Sequence, residues 1–185
     1  IDSMRGVEGE AGLRYFSLFN DLITAQKDDF VFNGRNRRPP LDPVNALLSF
    51  CYTLLMHDIV GALETVGLDP TVGFLHYDRS GRASLALDMM EEFRHYFADR
   101  LVLSLINLKK VNIKGFKISA SGAVVMNDDT RKIVINSWQE RKQDEVLHPY
   151  LKEKIKLGML PFAQAMLMAR HIRGDINAYP PFITR

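Results

Sequence analysis

Three acidic side chains, Asp88, Glu91 and Glu92, fall within five residues of one another in the run Leu87-Asp88-Met89-Met90-Glu91-Glu92-Phe93-Arg94-His95. On a helix, positions 88, 91, 92, 95 and 99 recur at i, i+3, i+4, i+7 and i+11 and share one face. Carboxylates three apart, with Cβ atoms about 5 to 6 Å from each other, repel by roughly 3 kcal/mol at an effective dielectric near 20. A divalent cation would offset that cost, and so would simple solvation of an outer helix face. His76 stands upstream, after Val72-Gly73-Phe74-Leu75, where an imidazole serves as a metal ligand, a phosphate donor or a loop filler. His95, four residues beyond Glu91, is the competing nitrogen ligand. Glu8 is a third feature, a carboxylate between Gly6 and Gly9 near a helix start, where a favourable charge–dipole placement needs no further function. Residue chemistry alone does not choose among these members.

The elements that must carry these groups are mostly helical. Leu13, Phe16, Phe19, Leu22 and Ile23 recur at helical spacing and predict a first helix over 8–25. A polar, Arg-rich loop over 26–41 ends in Pro39-Pro40. Asp42-Pro43 reads as an N-cap followed by proline at the first helical position, opening an apolar helix to about Val66, which Gly67-Leu68-Asp69-Pro70 ends. A loop containing Gly73 and Gly81 carries Phe74-Leu75-His76-Tyr77, and a helix is expected from near Ser84 to about Leu108. Over 116–135 the pattern predicts a hairpin, with Asn127-Asp128-Asp129 as its turn and Lys132-Ile133-Val134-Ile135 as its second strand. Asn136 or Ser137 would cap the next helix, and Leu160-Pro161-Phe162 opens a last one through Ile172. The expected fold is a mainly α single domain over 1–185 with one small β-hairpin.

Composition bounds the function classes. The chain has 185 residues, 46% hydrophobic and 25% charged, enough for one sizeable core and too ordinary for disorder. Cys51 is the only cysteine, so an intramolecular disulfide and a cysteine zinc site are excluded, which suits a reducing cytoplasm. His57, Asp58 and Lys109 interrupt the apolar stretches before the roughly 18 residues of a membrane span, and no membrane association is expected. The net charge of +2 says little, but its distribution says more. Arg35, Arg37 and Arg38 cluster before Pro39, and lysines recur at 109, 110, 114, 117, 152, 154 and 156 around the acidic spot at 88–92. Basic surfaces around an acidic centre suit an enzyme that brings phosphates to a metal; a solvated mixed-charge surface reads the same way from charge alone.

Taken in order, Arg5-Gly6-Val7-Glu8-Gly9-Glu10-Ala11 with Arg14-Tyr15-Phe16, Asp42-Pro43-Val44-Asn45-Ala46-Leu47-Leu48-Ser49, Gly67-Leu68-Asp69-Pro70 through Gly73-Phe74-Leu75-His76, and Ser84-Leu85-Ala86-Leu87-Asp88-Met89-Met90-Glu91-Glu92-Phe93-Arg94 resemble the CRISPR adaptation integrases. These are endonucleases of antiviral defence. The resemblance implies the helical catalytic lobe of such a protein, with an upstream β-rich domain, which mediates dimer formation, lying outside this chain. It places the family's metal ligands on Glu8, His76 and Glu91, with Asp88 as a fourth member of the site, either ligand or supporting acid. Arg14 and Arg94 fall where phosphate contacts are expected. Where many relatives have proline after Glu-Phe-Arg, this sequence has His95. The implied cofactor is Mg²⁺ or Mn²⁺. The implied partners are DNA, as spacer precursor and CRISPR repeat, a second CRISPR adaptation protein, and a second copy of the full-length chain. The reaction implied is transesterification by a DNA 3′-hydroxyl. Two rivals stay open: hydrolysis by water at the same site, and a helical DNA-binding or assembly module whose metal site is degenerate.

Overall fold

The computed structural model describes residues 2–77 and 79–183, without the side chains of residues 2–5. The side chain of Arg5, which opens the first motif, therefore lies outside the described residues, as does Ile1. The chain divides into two compact units, one comprising residues 1–51 and 99–138 and the other residues 52–98 and 139–185.

The first unit holds α1 (Asp2–Ser17), a 3₁₀ turn (Phe19–Leu22), the first part of α2 (Pro43–Thr65), α4 (Arg100–Asn107), the strands β1 (Phe116–Ile118) and β2 (Val124–Met126), and most of α5 (Asp128–Arg141). The first helix thus ends at Ser17, short of the expected Ala25, and the chain tightens into the 3₁₀ turn that buries Phe19. Phe19 meets Phe16 and Phe32 at centroid distances of 5.9 and 5.1 Å. Tyr15 donates its hydroxyl to Asp99 at 2.8 Å; burial, then the Asp99 charge, push that phenol well above its ordinary value, so it stays a donor. α2 opens as expected, with Asp42 Oδ1 accepting the Asn45 N–H at 2.7 Å and Pro43 in the first turn.

The hairpin is real but shorter than expected: β1 and β2 pair with Phe116 opposite Met126. Residues 128–141, including the expected strand at 132–135, are helical. Asn127 is not in a hairpin turn but caps α5, its Oδ1 accepting the Thr130 N–H at 2.9 Å. The β-branched run misleads because the buried positions are Thr130, Val134, Ser137 and Trp138, which follow helical spacing, whereas Ile133 and Ile135 are exposed.

The second unit holds the rest of α2, α3 (Ser84–Met90), a π-helix over Arg94–Asp99 up to Ala98, an antiparallel pair β3 (Glu145–Leu147) and β4 (Lys154–Lys156), and α6 (Leu160–Ile172). α2 closes on Gly67 at φ +79°, with Leu68 N–H bonding Leu63 at 2.9 Å and Gly67 N–H bonding Glu64 at 3.1 Å, a Schellman end. α2 is long and apolar enough to cross a membrane by length and composition, and neither His57 nor Asp58 prevents that; half of the stretch is buried inside the protein. α6 spans the expected residues, with Pro161 in its first turn. The strand pair β3–β4 was not expected. Among the described residues the fold is mainly α with two small antiparallel pairs.

The expected helix over 84–108 is broken into three. After Met90 the amides of Glu91, Glu92 and Phe93 bond the carbonyls three residues back, at 3.4, 3.3 and 3.0 Å, tightening the chain. It then widens into the π-helix before α4 resumes α geometry. Arg141 holds the widened turn, donating from Nη2 to Tyr96 O at 2.6 Å and from Nε to Phe97 O at 3.1 Å.

Candidate functional site

The loop before α3 is built around one carboxylate. Asp88 Oδ2 accepts the N–H groups of Phe74 at 2.6 Å and Leu75 at 3.0 Å, while Oδ1 accepts the His76 N–H at 3.0 Å and faces His76 Nδ1 at 2.6 Å. Its side chain is 9% exposed. Burial raises the Asp88 carboxyl pKa, but the hydrogen bonds from Leu75, the His76 ring, Phe74 and the His76 amide outweigh it and hold the group below the ordinary carboxylate range. An ionised carboxylate only accepts, so Nδ1 of His76 carries a proton, and in the neutral ring Nε2 is the nitrogen with the lone pair. Carboxylate-held imidazoles of this kind are what metal sites use to fix tautomer and ring orientation. Asp88 is thus engaged in orienting His76. Gly73 makes the approach feasible: a Cβ there would lie 2.7 Å from Ser84 Cβ and 2.9 Å from its carbonyl carbon.

The break after Met90 separates the acidic stripe. Positions 88, 91, 92, 95 and 99 do not share one face, because the tight turn and the π-helix each change the angle per residue. Glu92 turns inward, where its carboxylate accepts from Tyr179, Gln164 and Phe182. Asp99 is buried against Tyr15, and His95 is exposed on the π-helix, with the α-helical four-residue relation to Glu91 lost. Glu91 remains part-exposed and receives Arg94 Nη1 at 2.8 Å. Arg94 lies 4.9 Å over the Tyr52 ring, and its Nε is buried with no hydrogen-bond partner. The arginine expected at phosphate is therefore committed, in this structure, to a carboxylate and an aromatic face.

Glu8 is exposed on α1 of the first unit, and Arg14, also exposed, pairs with Glu10 at 2.7 Å. Further along α1 from Glu8, Gly9, Gly12 and Phe16 face Phe32 and Arg35 across an open hollow of about 550 Å³. The three clustered arginines divide. Arg35 bonds Asn36 O, Asn45 Oδ1 and Ser49 Oγ, fastening the loop to α2, whereas Arg37 and Arg38 are exposed. Asn45, fully buried, was missed by sequence reasoning; it accepts the Asn36 amide at 3.0 Å and donates to Gly34 O at 2.9 Å and Asp42 at 2.7 Å. A lone Asn inside the apolar run Val44–Leu48 was the available sign. Among the described residues, no group of three or more His, Cys, Asp or Glu side chains is gathered to hold a metal ion. His76 and Asp88 are brought together; so are Glu91 and Arg94.

Comparison with known proteins gives these groups a family. The sequence is 60% identical over 182 residues to the CRISPR-associated endonuclease Cas1 1 of Chlorobaculum tepidum, covering 98% of this chain and 53% of that protein. The chain spans about half the length of the curated relatives it matches. Its fold matches a solved CAS1 protein from Thermotoga maritima at TM-score 0.81 and 27% identity, covering 92% of this chain and 53% of that one. It also matches a chain of a solved Cas6-RT-Cas1–Cas2 complex at TM-score 0.82 and 26% identity, covering 98% of this chain and 19% of that one. The family described as CRISPR associated protein Cas1 matches residues 1–140, and the chain belongs to it.

Proposed function

We propose that this chain is the catalytic lobe of a divalent-metal-dependent DNA endonuclease and integrase of CRISPR spacer acquisition, with Glu8, His76 and Glu91 as the metal-holding residues. The observation that carries the reading is the Asp88–His76 pair in a Cas1-family chain: three amides and an imidazole converge on one carboxylate, leaving Nε2 as the outward nitrogen. One imidazole and two carboxylates suit Mg²⁺ or Mn²⁺, the imidazole favouring Mn²⁺. Such an ion, when bound, supplies Lewis acidity at the scissile phosphate and acidifies the attacking hydroxyl.

The chain's own residues do the positioning. Asp88 fixes the ring of His76, and Arg94 holds Glu91 in place. The exposed Arg14, Arg37 and Arg38 supply sequence-independent phosphate contacts. In the reaction a DNA 3′-oxygen forms a bond to phosphorus at the repeat while the repeat's own 3′-oxygen leaves and takes up a proton, so no nucleoside triphosphate is consumed. By the same reading the working protein is cytoplasmic, dimerises through a further domain and acts with a second adaptation protein; a relative's solved complex contains Cas2.

A 3′-hydroxyl duplex carrying a label, incubated with supercoiled target and Mn²⁺, tests the proposal. Covalent transfer of label supports integration, and nicking without transfer points to hydrolysis. If Glu8→Ala, His76→Ala and Glu91→Ala all leave both products unchanged, the catalytic reading is wrong and the lobe is a binding module.

A further inference from the structure

Glu92, immediately beside Glu91, is the meeting point of three donors from distant parts of the second unit. Its Oε1 accepts the Tyr179 hydroxyl at 2.6 Å, and its Oε2 accepts Gln164 Nε2 at 2.8 Å and the Phe182 N–H at 2.8 Å. Gln164 is fully buried on α6 and also donates to the Tyr179 hydroxyl at 2.7 Å and Pro180 O at 3.1 Å. Its own oxygen takes His148 Nε2 at 2.9 Å, and His148 Nδ1 in turn accepts the amides of Tyr150 and Leu151. The Phe182 ring is 2% exposed and seats against Phe93, Tyr96 and His148 at 6.2, 5.6 and 6.0 Å. Burial, and then the Glu92 charge, raise the Tyr179 phenol well above its ordinary value, which keeps it a donor.

We propose that residues 179–182 form a positioning strap for Glu91, latched through the Glu92 carboxylate to the turn that separates α3 from the π-helix. The amides of Glu91 and Glu92 make only long three-residue bonds, of 3.4 and 3.3 Å, before the chain regains shorter ones at Phe93. Arg94 bonds the Glu91 carboxylate directly at 2.8 Å, and the strap supplies a second anchor one residue away at Glu92 and on the ring of Phe93. Charge-assisted bonds of this kind are shorter and stronger than neutral ones, and three of them on one carboxylate define its orientation. Tyr179, Gln164 and Glu92 are positioning residues rather than ligands, and their action rests on the reading of Glu91 as a metal-holding residue.

Glu92→Ala would strand three donors and endanger the fold, so Tyr179→Phe is the deciding variant, since it removes one hydroxyl and keeps the ring. Mn²⁺ binding to the full-length protein is measured by electron paramagnetic resonance, together with amide hydrogen exchange at residues 91–93. Two comparison variants accompany it: Glu91→Gln, and Lys142→Met, which breaks the 2.8 Å pair with Asp58 elsewhere in the same unit. The strap predicts that Tyr179→Phe weakens Mn²⁺ binding about tenfold, the lower end of what losing a supporting partner costs a metal site. It also predicts faster exchange at 91–93, while Lys142→Met changes neither. Unchanged Mn²⁺ affinity in Tyr179→Phe alongside a loss in Glu91→Gln overturns the strap alone. Unchanged affinity in Glu91→Gln overturns the assignment of Glu91 and the strap with it. An equal loss of affinity in Lys142→Met reduces the effect to general destabilisation and also overturns it.

Discussion

Replacing Asp88 by asparagine exchanges one oxygen for an NH₂ group and asks which of four hydrogen bonds gives way. In the native loop each oxygen takes two donors: Phe74 and Leu75 amides on Oδ2, His76 amide and ring on Oδ1. An amide side chain keeps one oxygen. If its NH₂ replaces Oδ2, two backbone donors face another donor, each costing about 1–3 kcal/mol. If it replaces Oδ1, only the His76 amide is stranded, because the imidazole can shift its proton to Nε2 and accept at Nδ1. The second orientation wins by about one stranded donor, so the expected loss is about 1–3 kcal/mol in a folded protein. The price falls on function: Nε2 now carries a hydrogen and has no lone pair for a metal, and Mn²⁺ affinity should fall by about 10–100-fold, as when a ligand histidine loses its partner. Denaturant unfolding gives the stability, and long-range ¹H–¹⁵N NMR of the His76 ring reports the tautomer directly. A folded Asp88→Asn variant that keeps its proton on Nδ1 would refute this account of the loop.

The remaining expectations follow from the same geometry. Gly73→Ala should cost about 1–3 kcal/mol, because the new methyl meets the backbone of buried Ser84 and the loop must move; an unchanged thermal midpoint would show that the loop has room. Arg35→Lys should lower stability by about 1–2 kcal/mol without altering the salt dependence of DNA binding, since one ammonium does not span Asn36, Asn45 and Ser49. Arg37→Ala and Arg38→Ala should do the reverse, each reducing the slope of log affinity against log salt by about 0.9 and leaving stability within about 0.5 kcal/mol; salt titrations of duplex binding decide between them. Asp88 sets a pH effect of known sign. Its folded pKa lies below the unfolded value of about 3.9, so its contribution is complete above that pH and is lost as pH falls through the folded value. Urea midpoints between about pH 6 and pH 2 should therefore fall more steeply for the native chain than for Asp88→Asn.

What was legible in the sequence is what local chemistry decides. The ends of α2 are set by Asp42, Pro43 and Gly67 within a turn of the helix, and the start of α6 by Pro161. The start of α5 was just as local, at Asn127, but the β-branched run at 133–135 outweighed it in a reading by propensity. The π-helix was out of reach, because the arginine that bonds its carbonyls lies 44 and 45 residues further on. The acidic stripe failed for the same reason. Glu92 is claimed by a tyrosine 87 residues away and Asp88 by a loop 12 to 14 residues before it, and no spacing rule within the helix records either claim. Motif resemblance placed His76 and Asp88 in one site, and geometry then assigned Asp88 to orienting the imidazole. The arginine cluster looked uniform in sequence, yet Asn45 and Ser49 on α2 take one member and leave two at the surface.

The π-helix over Arg94–Asp99 has a bearing on how this sequence can drift. A π turn holds one residue more than the α turn it replaces, and its geometry is disfavoured unless something outside the helix supports it. Deleting one residue between 94 and 98 would let ordinary α geometry run on toward Asn107 and would improve the helix as a helix. It would also withdraw the carbonyls of Tyr96 and Phe97 that Arg141 binds. Selection for stability alone would therefore erase the feature, so libraries screened only for thermal tolerance should accumulate shortened segments that fold well and lack the Arg141 contacts.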